Sequence, residues 1–492
     1  MTDRDHGDFS LNYGTTEQLV DALATRKISA LELTDHVIAR IEALDTKINA
    51  VVVRDFERGR EAARTADTAL GRGERRPLLG IPMVVKESFD VAGLPTTWGV
   101  PAFKDFVPQE DAVMIARVKA AGAVILGKTN VPLLLGDWQS YNDIYGTTNN
   151  PWDLGRTPGG SSGGSSAALA AGFGPVSLGS DIGGSLRVPA HYCGIYAHKP
   201  TLNLVAPRGH RVPTTVQRES DLAVVGPMAR SAADLDLALA VTAGPDEAGA
   251  GIAFRLALPT PRHEKLSDYR VLVIDDHPLL PTEATIRTAL DSLSRRLVQA
   301  GVKVAHASPL LPDLTQSARL YMRLLLAALS ERWPQEIYEL EQASAAALKA
   351  DDNSLAAERH RGAALSHRGW AEADMVRIAL RQQWAKLFRE WDVVLCPPMP
   401  TIAFPHDHSL MAERQIEIDG KHFSFFDQLV WPELATTPGL PATAAPIGLS
   451  ESGLPIGVQI IGPYLEDRTP IAFAALMERE FGGFVPAPGY AD

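Results

Sequence analysis

Gly159-Gly160-Ser161-Ser162-Gly163-Gly164-Ser165 and Gly179-Ser180-Asp181-Ile182-Gly183-Gly184-Ser185 are the segments on which the reading of this chain turns. Between them lie a small-residue helical stretch, 165–172, and an apolar strand ending at Val176-Ser177-Leu178-Gly179. Such a pairing can set two hydroxyls beside a row of unencumbered backbone N–H groups, which acyl-transfer chemistry uses as nucleophile and oxyanion hole. With no side chain on Gly183 or Gly184, the N–H groups of Ile182, Gly183, Gly184 and Ser185 can converge on one oxygen. Taken alone, these glycines read equally as a tight turn.

Working outward, residues 78–244 alternate short apolar runs (82–86, 123–127, 175–179) with helical stretches such as 111–122 and 165–172. The alternation predicts an α/β fold with a parallel or mixed sheet and helices on both faces. A further βαβ-like unit covers 269–275, 283–300 and 302–307, and apolar runs at 393–398 and 455–460 read as returning core strands. Residues 310–391 are helical and rich in Ala, Arg and Leu, a cover over the pocket. In the N-terminal part, Thr15 with Gln18 and Ser29 with Glu32 fit capping boxes. A strand at 49–53 and a charged helix reaching residue 70 follow.

The chain has 492 residues, 45% hydrophobic and 22% charged, the balance of a globular protein with a substantial core. A net charge of −12 argues against nucleic acid or an anionic membrane as the main partner. The polar N-terminus has no apolar leader pattern, and no stretch is long and apolar enough to span a bilayer. The two cysteines, Cys193 and Cys396, read as structural thiols in a reducing compartment, so the expected location is cytoplasmic.

Three patterns invite other readings. Gly122-Ala123-Val124-Ile125-Leu126-Gly127-Lys128-Thr129 matches a phosphate loop letter for letter. Its variable positions are a strand, however, and Val131-Pro132 follows where the phosphate-binding helix should begin. Gly159-Gly160-Ser161-Ser162-Gly163 matches a nucleophile elbow, but turn-forming residues 150–158 precede it where a buried strand is required. His406-Asp407-His408 lacks a third ligand nearby and reads as a polar loop, so no metal is expected.

Gly80-Ile81-Pro82-Met83-Val84-Val85-Lys86, Arg187-Val188-Pro189-Ala190 and Lys199-Pro200-Thr201 complete the pattern. With the two glycine–serine segments, they make the chain resemble the amidase signature family of serine hydrolases. Asn150-Pro151-Trp152 and the run from Gly439-Leu440-Pro441 to Gly462-Pro463 extend the likeness over most of the chain. The resemblance implies the amidase signature fold, an α/β fold with a large mixed central β-sheet flanked by helices on both faces. It also implies one domain, 1–492, with a catalytic core at about 78–244, the helical cover at about 310–391 and the core completed at about 392–485.

It further implies that Ser185 is the nucleophile, Ser161 a bridging serine in a cis peptide and Lys86 the base. The spacing of 185 − 161 = 24 residues is the family's. By the same resemblance Asp181 and Arg187 support the loop, and Leu135, Gly136 and Asp137 line the acyl and leaving-group pocket. The Leu133-Leu134-Leu135 run reads equally as core. Lys86 has to be neutral to accept a proton, which burial without a carboxylate partner favours. Strand alternation sends the adjacent Glu87 to the other face. His191 and His198 are the next candidate bases.

Two features depart from the pattern. Ala197 stands where glycine is common, beside the bulky Tyr196; and Trp138, Gln139, Tyr141 and Tyr145 make an aromatic lining that suggests an aryl or bulky substrate, or surface turns. The expected activity is hydrolysis of a small-molecule amide without cofactor, metal, nucleic acid or membrane, and a homodimer is possible. The rival readings are a carbamate or ester hydrolase, the glutaminase subunit of a tRNA-dependent amidotransferase, and a non-catalytic binding paralogue. Amidotransferase subunits usually carry Asp after the lysine, whereas this chain has Lys86-Glu87.

Overall fold

The computed structural model describes residues 10–213 and 219–491; the polar N-terminal stretch 1–9 falls outside the described residues. Both expected capping boxes form: Thr15 and Ser29 accept from the N–H of Gln18 and Glu32, whose side chains bond back to the caps. The second helix, Ala30–Ile48, buries Leu33, Val37, Ile38, Ile41 and Ile48 along one face, the stripe expected of a helix laid on a core. Asn49, in the left-handed region at φ 56°, ends it and turns the chain into the first strand.

Eleven strands make one mixed sheet. From edge to edge they are Val51–Arg54, Val124–Thr129, Pro82–Lys86, Val176–Asp181, Val224–Ala229, Tyr196–Lys199, Ala442–Leu449, Pro455–Ile461, Val393–Cys396, Arg270–Val273 and Lys303–Ala305. The central strands are buried along their whole length, as strands covered on both faces are, and Lys86, Lys128, Ser180 and Asp181 lie toward their C-terminal ends. The large mixed central sheet flanked by helices is as expected.

The strand Pro82–Lys86 runs parallel to Val176–Asp181, with Val84 opposite Ser177 and Val85 opposite Leu178. Their C-terminal ends therefore lie side by side, where open α/β sheets place ligands. Lys86 ends one strand and Ser180-Asp181 the other. The intervening helix, Gly163–Ala170, is wholly buried and packs against both strands.

The region 310–391 is helical, with Leu314–Leu329, Gln335–Ala347, Leu355–Ala363 and His367–Glu390. Residues 404–431 contribute Phe425 and Leu429 to the apolar cluster that holds Tyr321, Trp138 and the sheet residues Val394 and Ile461. They include a hairpin, Gln415–Ile418 with Lys421–Ser424, and a 3₁₀ turn, Phe425–Val430.

Both lookalike motifs resolve by geometry. Residues 124–129 are strand, and Lys128 is buried, donating to the Pro95 carbonyl and to Thr96 Oγ1 (2.8 Å). The residues before Ser161 form turns and bends rather than a strand.

Candidate active site

At the C-terminal end of its strand, Lys86 is fully buried and its Nζ meets three hydroxyls: Ser161 Oγ at 2.7 Å, Ser180 Oγ at 2.9 Å and Ser162 Oγ at 3.0 Å. No carboxylate lies within ion-pair distance of it among the described residues. Burial drives its pKa well below the ordinary lysine value, and the more distant Asp181 only partly opposes this. Glu87 faces away, accepting from the N–H groups of Thr97 (2.5 Å) and Trp98 (3.0 Å). The buried Lys128 balances its charge from that side. Strand alternation thus separates the two adjacent charged groups.

Ser161 is held in a cis peptide with Gly160. A Cβ on Gly160 would stand 2.3 Å from the Asp137 carbonyl oxygen, so only glycine lets these backbones meet. Ser162 is saturated: its hydroxyl donates to the Ser180 carbonyl (3.3 Å) and accepts from the Ser180 N–H (3.3 Å) and from Lys86. Its N–H donates to the Ser185 carbonyl (3.2 Å), tying the two serine loops together. The Ser185 side chain is near-buried at 6% exposure, and no hydrogen bond of its hydroxyl is present among the described residues.

Asp181 and Arg187 fix the loop between them. Arg187 Nη2 and Nε grip the two carboxylate oxygens at 2.7 and 3.0 Å. The other Arg187 donors reach the Pro432 carbonyl (2.8 Å), Thr436 Oγ1 (2.9 Å) and Gln459. Burial pushes the Asp181 carboxyl up, yet the guanidinium holds it below its usual range. The same carboxylate accepts from the N–H groups of Gly184 (2.9 Å) and Leu186 (3.0 Å). Here the structure corrects the sequence reading: the Gly184 N–H is spent on Asp181 and is not free for an oxyanion. The N–H groups of Ile182, Gly183 and Ser185 have no acceptor among the described residues. Gly184 still has to be glycine, since it sits at φ 95° with Pro432 and Val188 within 3 Å of any Cβ.

The loop carbonyls are tied down on the opposite side. Tyr321 donates to the Ile182 carbonyl at 2.7 Å, and Trp138 Nε1 donates to that of Gly183 at 2.9 Å. Sequence reasoning missed Tyr321, Ser162 and Ser180. The two serines adjoin singled-out residues, but nothing in Leu320-Tyr321-Met322 marks a loop-binding hydroxyl.

Of the expected pocket residues, Leu135 is half-buried and Gly136 exposed, while Asp137 is buried and closed off by Arg414, Nη1 to Oδ2 at 2.6 Å. Arg414 also donates to Tyr141 (2.7 Å) and to the Ser409 carbonyl (2.8 Å). Gln139 pairs twice with the main chain of Asp407, and His408 stacks on Tyr141 at 3.9 Å. Thus the His406-Asp407-His408 loop is strapped to residues 137–141. Tyr145 reaches Glu87 instead (3.3 Å). Trp138 stands against Phe425, ring centroids 5.2 Å apart, and Leu429 abuts Gly183, so the mouth of the site is apolar.

One turn of the 3₁₀ segment from Leu429, Phe426 carries the guanidinium of Arg359 on its ring at 3.9 Å. Arg359 is half-buried and has no ion pair within 4 Å among the described residues. Burial lowers its pKa, and neighbouring Asp427 opposes that. The remaining candidate bases are occupied elsewhere. His191 accepts from the Gly457 N–H at 2.7 Å and burial depresses it to about 4; His198 sits between Thr443 and Asp467. Cys193 and Cys396 are both free and buried. Ala197 packs inside the sheet opposite Met228 and Ala444 and touches none of these groups.

The sequence model of the Amidase family matches residues 32–470. A glutamyl-tRNA(Gln) amidotransferase subunit of Anaeromyxobacter sp. (strain K) is 34% identical, with 95% of this chain and 96% of that one covered. Fatty-acid amide hydrolase 2-A of Danio rerio is 32% identical over 95% of this chain and 88% of its own. Among solved structures, 6-aminohexanoate cyclic dimer hydrolase superposes with a TM-score of 0.78 at 26% identity, covering 98% of this chain and all of that one. No helix among the described residues is long and apolar enough to cross a membrane.

Proposed function

The chain belongs to the amidase family, whose enzymes hydrolyse amide C–N bonds, and on that premise we propose that it is a serine amidohydrolase acylated on Ser185. The observation that carries the reading is the contact of a buried Lys86 amine, free of any carboxylate in contact, with the Ser161 hydroxyl at 2.7 Å. A neutral amine has two protons to donate and one lone pair. Ser162, whose own proton is committed to the Ser180 carbonyl, and Ser180 take the two donations. The lone pair is left for the Ser161 proton, which makes Lys86 the base and Ser161 the relay.

In this mechanism Ser185 Oγ attacks the amide carbonyl and its proton passes through Ser161 to Lys86. The gap between Ser161 and Ser185 closes when substrate binds, as catalytic hydrogen bonds commonly do. The N–H groups of Ile182, Gly183 and Ser185 hold the oxyanion in a loop packed against Trp138, Tyr321 and Leu429, and preorganised donors of this kind act strongly on a developing charge. Proton return from Lys86 releases the amine, and water then frees the acid. A carbamate or ester would pass through the same steps. Labelling with an organophosphonate, followed by peptide mapping, tests the assignment: the adduct is expected on Ser185, and an adduct on Ser161 or Ser162 overturns it.

A second reading is favoured by Arg359 and Asp427. A half-buried guanidinium without an ion pair, next to a carboxyl group, complements the carboxylate and ammonium of a free amino acid. The side-chain amide of glutamine would then be the group cleaved, as befits a relative of glutamyl-tRNA(Gln) amidotransferase subunits. Ammonia release from glutamine by the purified chain, compared with hydrolysis of 4-nitroacetanilide, separates the two readings.

A further inference from the structure

Glu433 opens the short helix Glu433–Thr436 and is fully buried. Two hydroxyls donate to it, Ser317 at 2.9 Å and Thr437 at 2.7 Å, and both choose Oε2. Oε1 has no partner among the described residues. This is the pattern of a carboxylic acid, whose carbonyl oxygen accepts twice while the other oxygen carries the proton. An ionised carboxylate there would bury a charged oxygen without a donor, which is costly.

The residue before it touches the loop that carries Ser185. The Pro432 ring lies against Gly184, its Cγ 2.9 Å from where a Cβ would stand, and its carbonyl accepts from Arg187. The groups facing Glu433 come from several elements. Tyr321, on the helix Leu314–Leu329, feels both Glu433 and Asp181 and holds the Ile182 carbonyl. Cys396 faces it from the sheet, His277 packs on Trp431, and Arg187, already bound to Asp181, is the nearby cation reached through Pro432. Burial raises the Glu433 pKa to about 8.

We infer that Glu433 is a positioning residue kept as a neutral acid, and that its ionisation slows acylation of Ser185. A second anion behind a loop that already contains Asp181 opposes the charge developing on the substrate oxygen; Lys199, the other cation acting on Asp181, is pushed down to about 7 by burial and offsets little of it at alkaline pH. The ionisation only releases a proton to solvent; no group is transferred. The inference rests on the assignment of Ser185 as nucleophile.

The test compares the parent with Glu433→Gln, in which an amide oxygen can take both hydroxyl donations. Hydrolysis of 4-nitroacetanilide and of glutamine is followed from pH 6 to 10, and thermal unfolding from pH 5 to 9. The parent rate is expected to fall about tenfold above pH 8, while Glu433→Gln keeps the acid limb and loses the alkaline fall. A folded pKa raised above the unfolded value confers stability that is complete below about 4.5 and lost as pH rises to about 8. The Tm of Glu433→Gln should therefore gain on the parent across that window. The same alkaline fall in the variant, or a Tm gap that is constant with pH, overturns the inference. If neither protein hydrolyses either substrate, that result counts against the amidohydrolase reading, and the Tm comparison alone decides the state of Glu433.

Discussion

The Lys86 amine and the Ser161 hydroxyl, 75 residues apart in sequence, meet at 2.7 Å in a cavity from which every contacting carboxylate is absent among the described residues. Burial without a contacting counter-ion favours the uncharged amine, so the packing that surrounds Lys86 also favours its proton-accepting form. The arrangement has direct consequences for rate and pH.

Lys86→Arg keeps a cation of similar reach, but a guanidinium cannot deprotonate in a protein. Lys86→Arg and Lys86→Ala should both lose about 100- to 10,000-fold in kcat/KM while remaining folded by circular dichroism. Because burial lowers the lysine pKa, the parent rate should fall as pH drops through the lowered value and Lys86 becomes charged. A Lys86→Arg variant with more than about a tenth of parental turnover would sink the Lys–Ser–Ser mechanism.

Ser162→Ala should damage stability as well as rate. The hydroxyl it removes serves the Ser180 N–H, the Ser180 carbonyl and Lys86, all buried. Leaving such groups unpartnered costs about 1–3 kcal/mol. A denaturant titration reading under about 0.5 kcal/mol would show that the site repacks.

Asp181→Ala should be among the most damaging changes in the loop. It strands the Arg187 guanidinium, which is about 1% exposed, and releases the N–H groups of Gly184 and Leu186. Breaking a buried pair from one side costs about 3–5 kcal/mol, to be read as a lower Tm together with lost turnover. Arg187→Lys should rescue little, because one ammonium cannot replace the planar fork.

Arg359→Ala discriminates the two substrate readings. If the guanidinium binds an amino-acid carboxylate, glutamine hydrolysis should lose about tenfold or more in KM while a neutral anilide is affected far less. Equal loss on both substrates would mean that Arg359 only packs on Phe426.

Much of this was legible in the sequence, for physical reasons that differ by element. The strands at 82–86 and 176–181 announce themselves through the short apolar runs with which they begin, and the boxes at Thr15 and Ser29 because capping is local chemistry. The meeting of Lys86 with Ser161 was carried by family likeness and could not be read from periodicity. The strand Ala442–Leu449 was not singled out: Ala442-Thr443-Ala444-Ala445-Pro446 has little β-branched character and is strand because two neighbours pair with it. The pairing of Asp137 with Arg414 was not legible because the two lie 277 residues apart. The Gly184 N–H was misjudged because only the folded loop shows Asp181 turning back to claim it.

The strand Ala442–Leu449 lies between Tyr196–Lys199 and Pro455–Ile461, in the middle of the sheet. A ribosome finishing residue 199 must therefore add 442 − 199 = 243 more before that strand's partner emerges, about 10–50 s at about 5–20 residues per second. Throughout that interval the nascent chain carries Lys86, Ser161 and Ser185 beside an unpaired β-edge, the kind of surface that recruits other chains. Vectorial synthesis thus leaves the first part of the sheet exposed until the last part arrives, and any message cut short between those points yields a product prone to aggregate rather than a smaller folded protein.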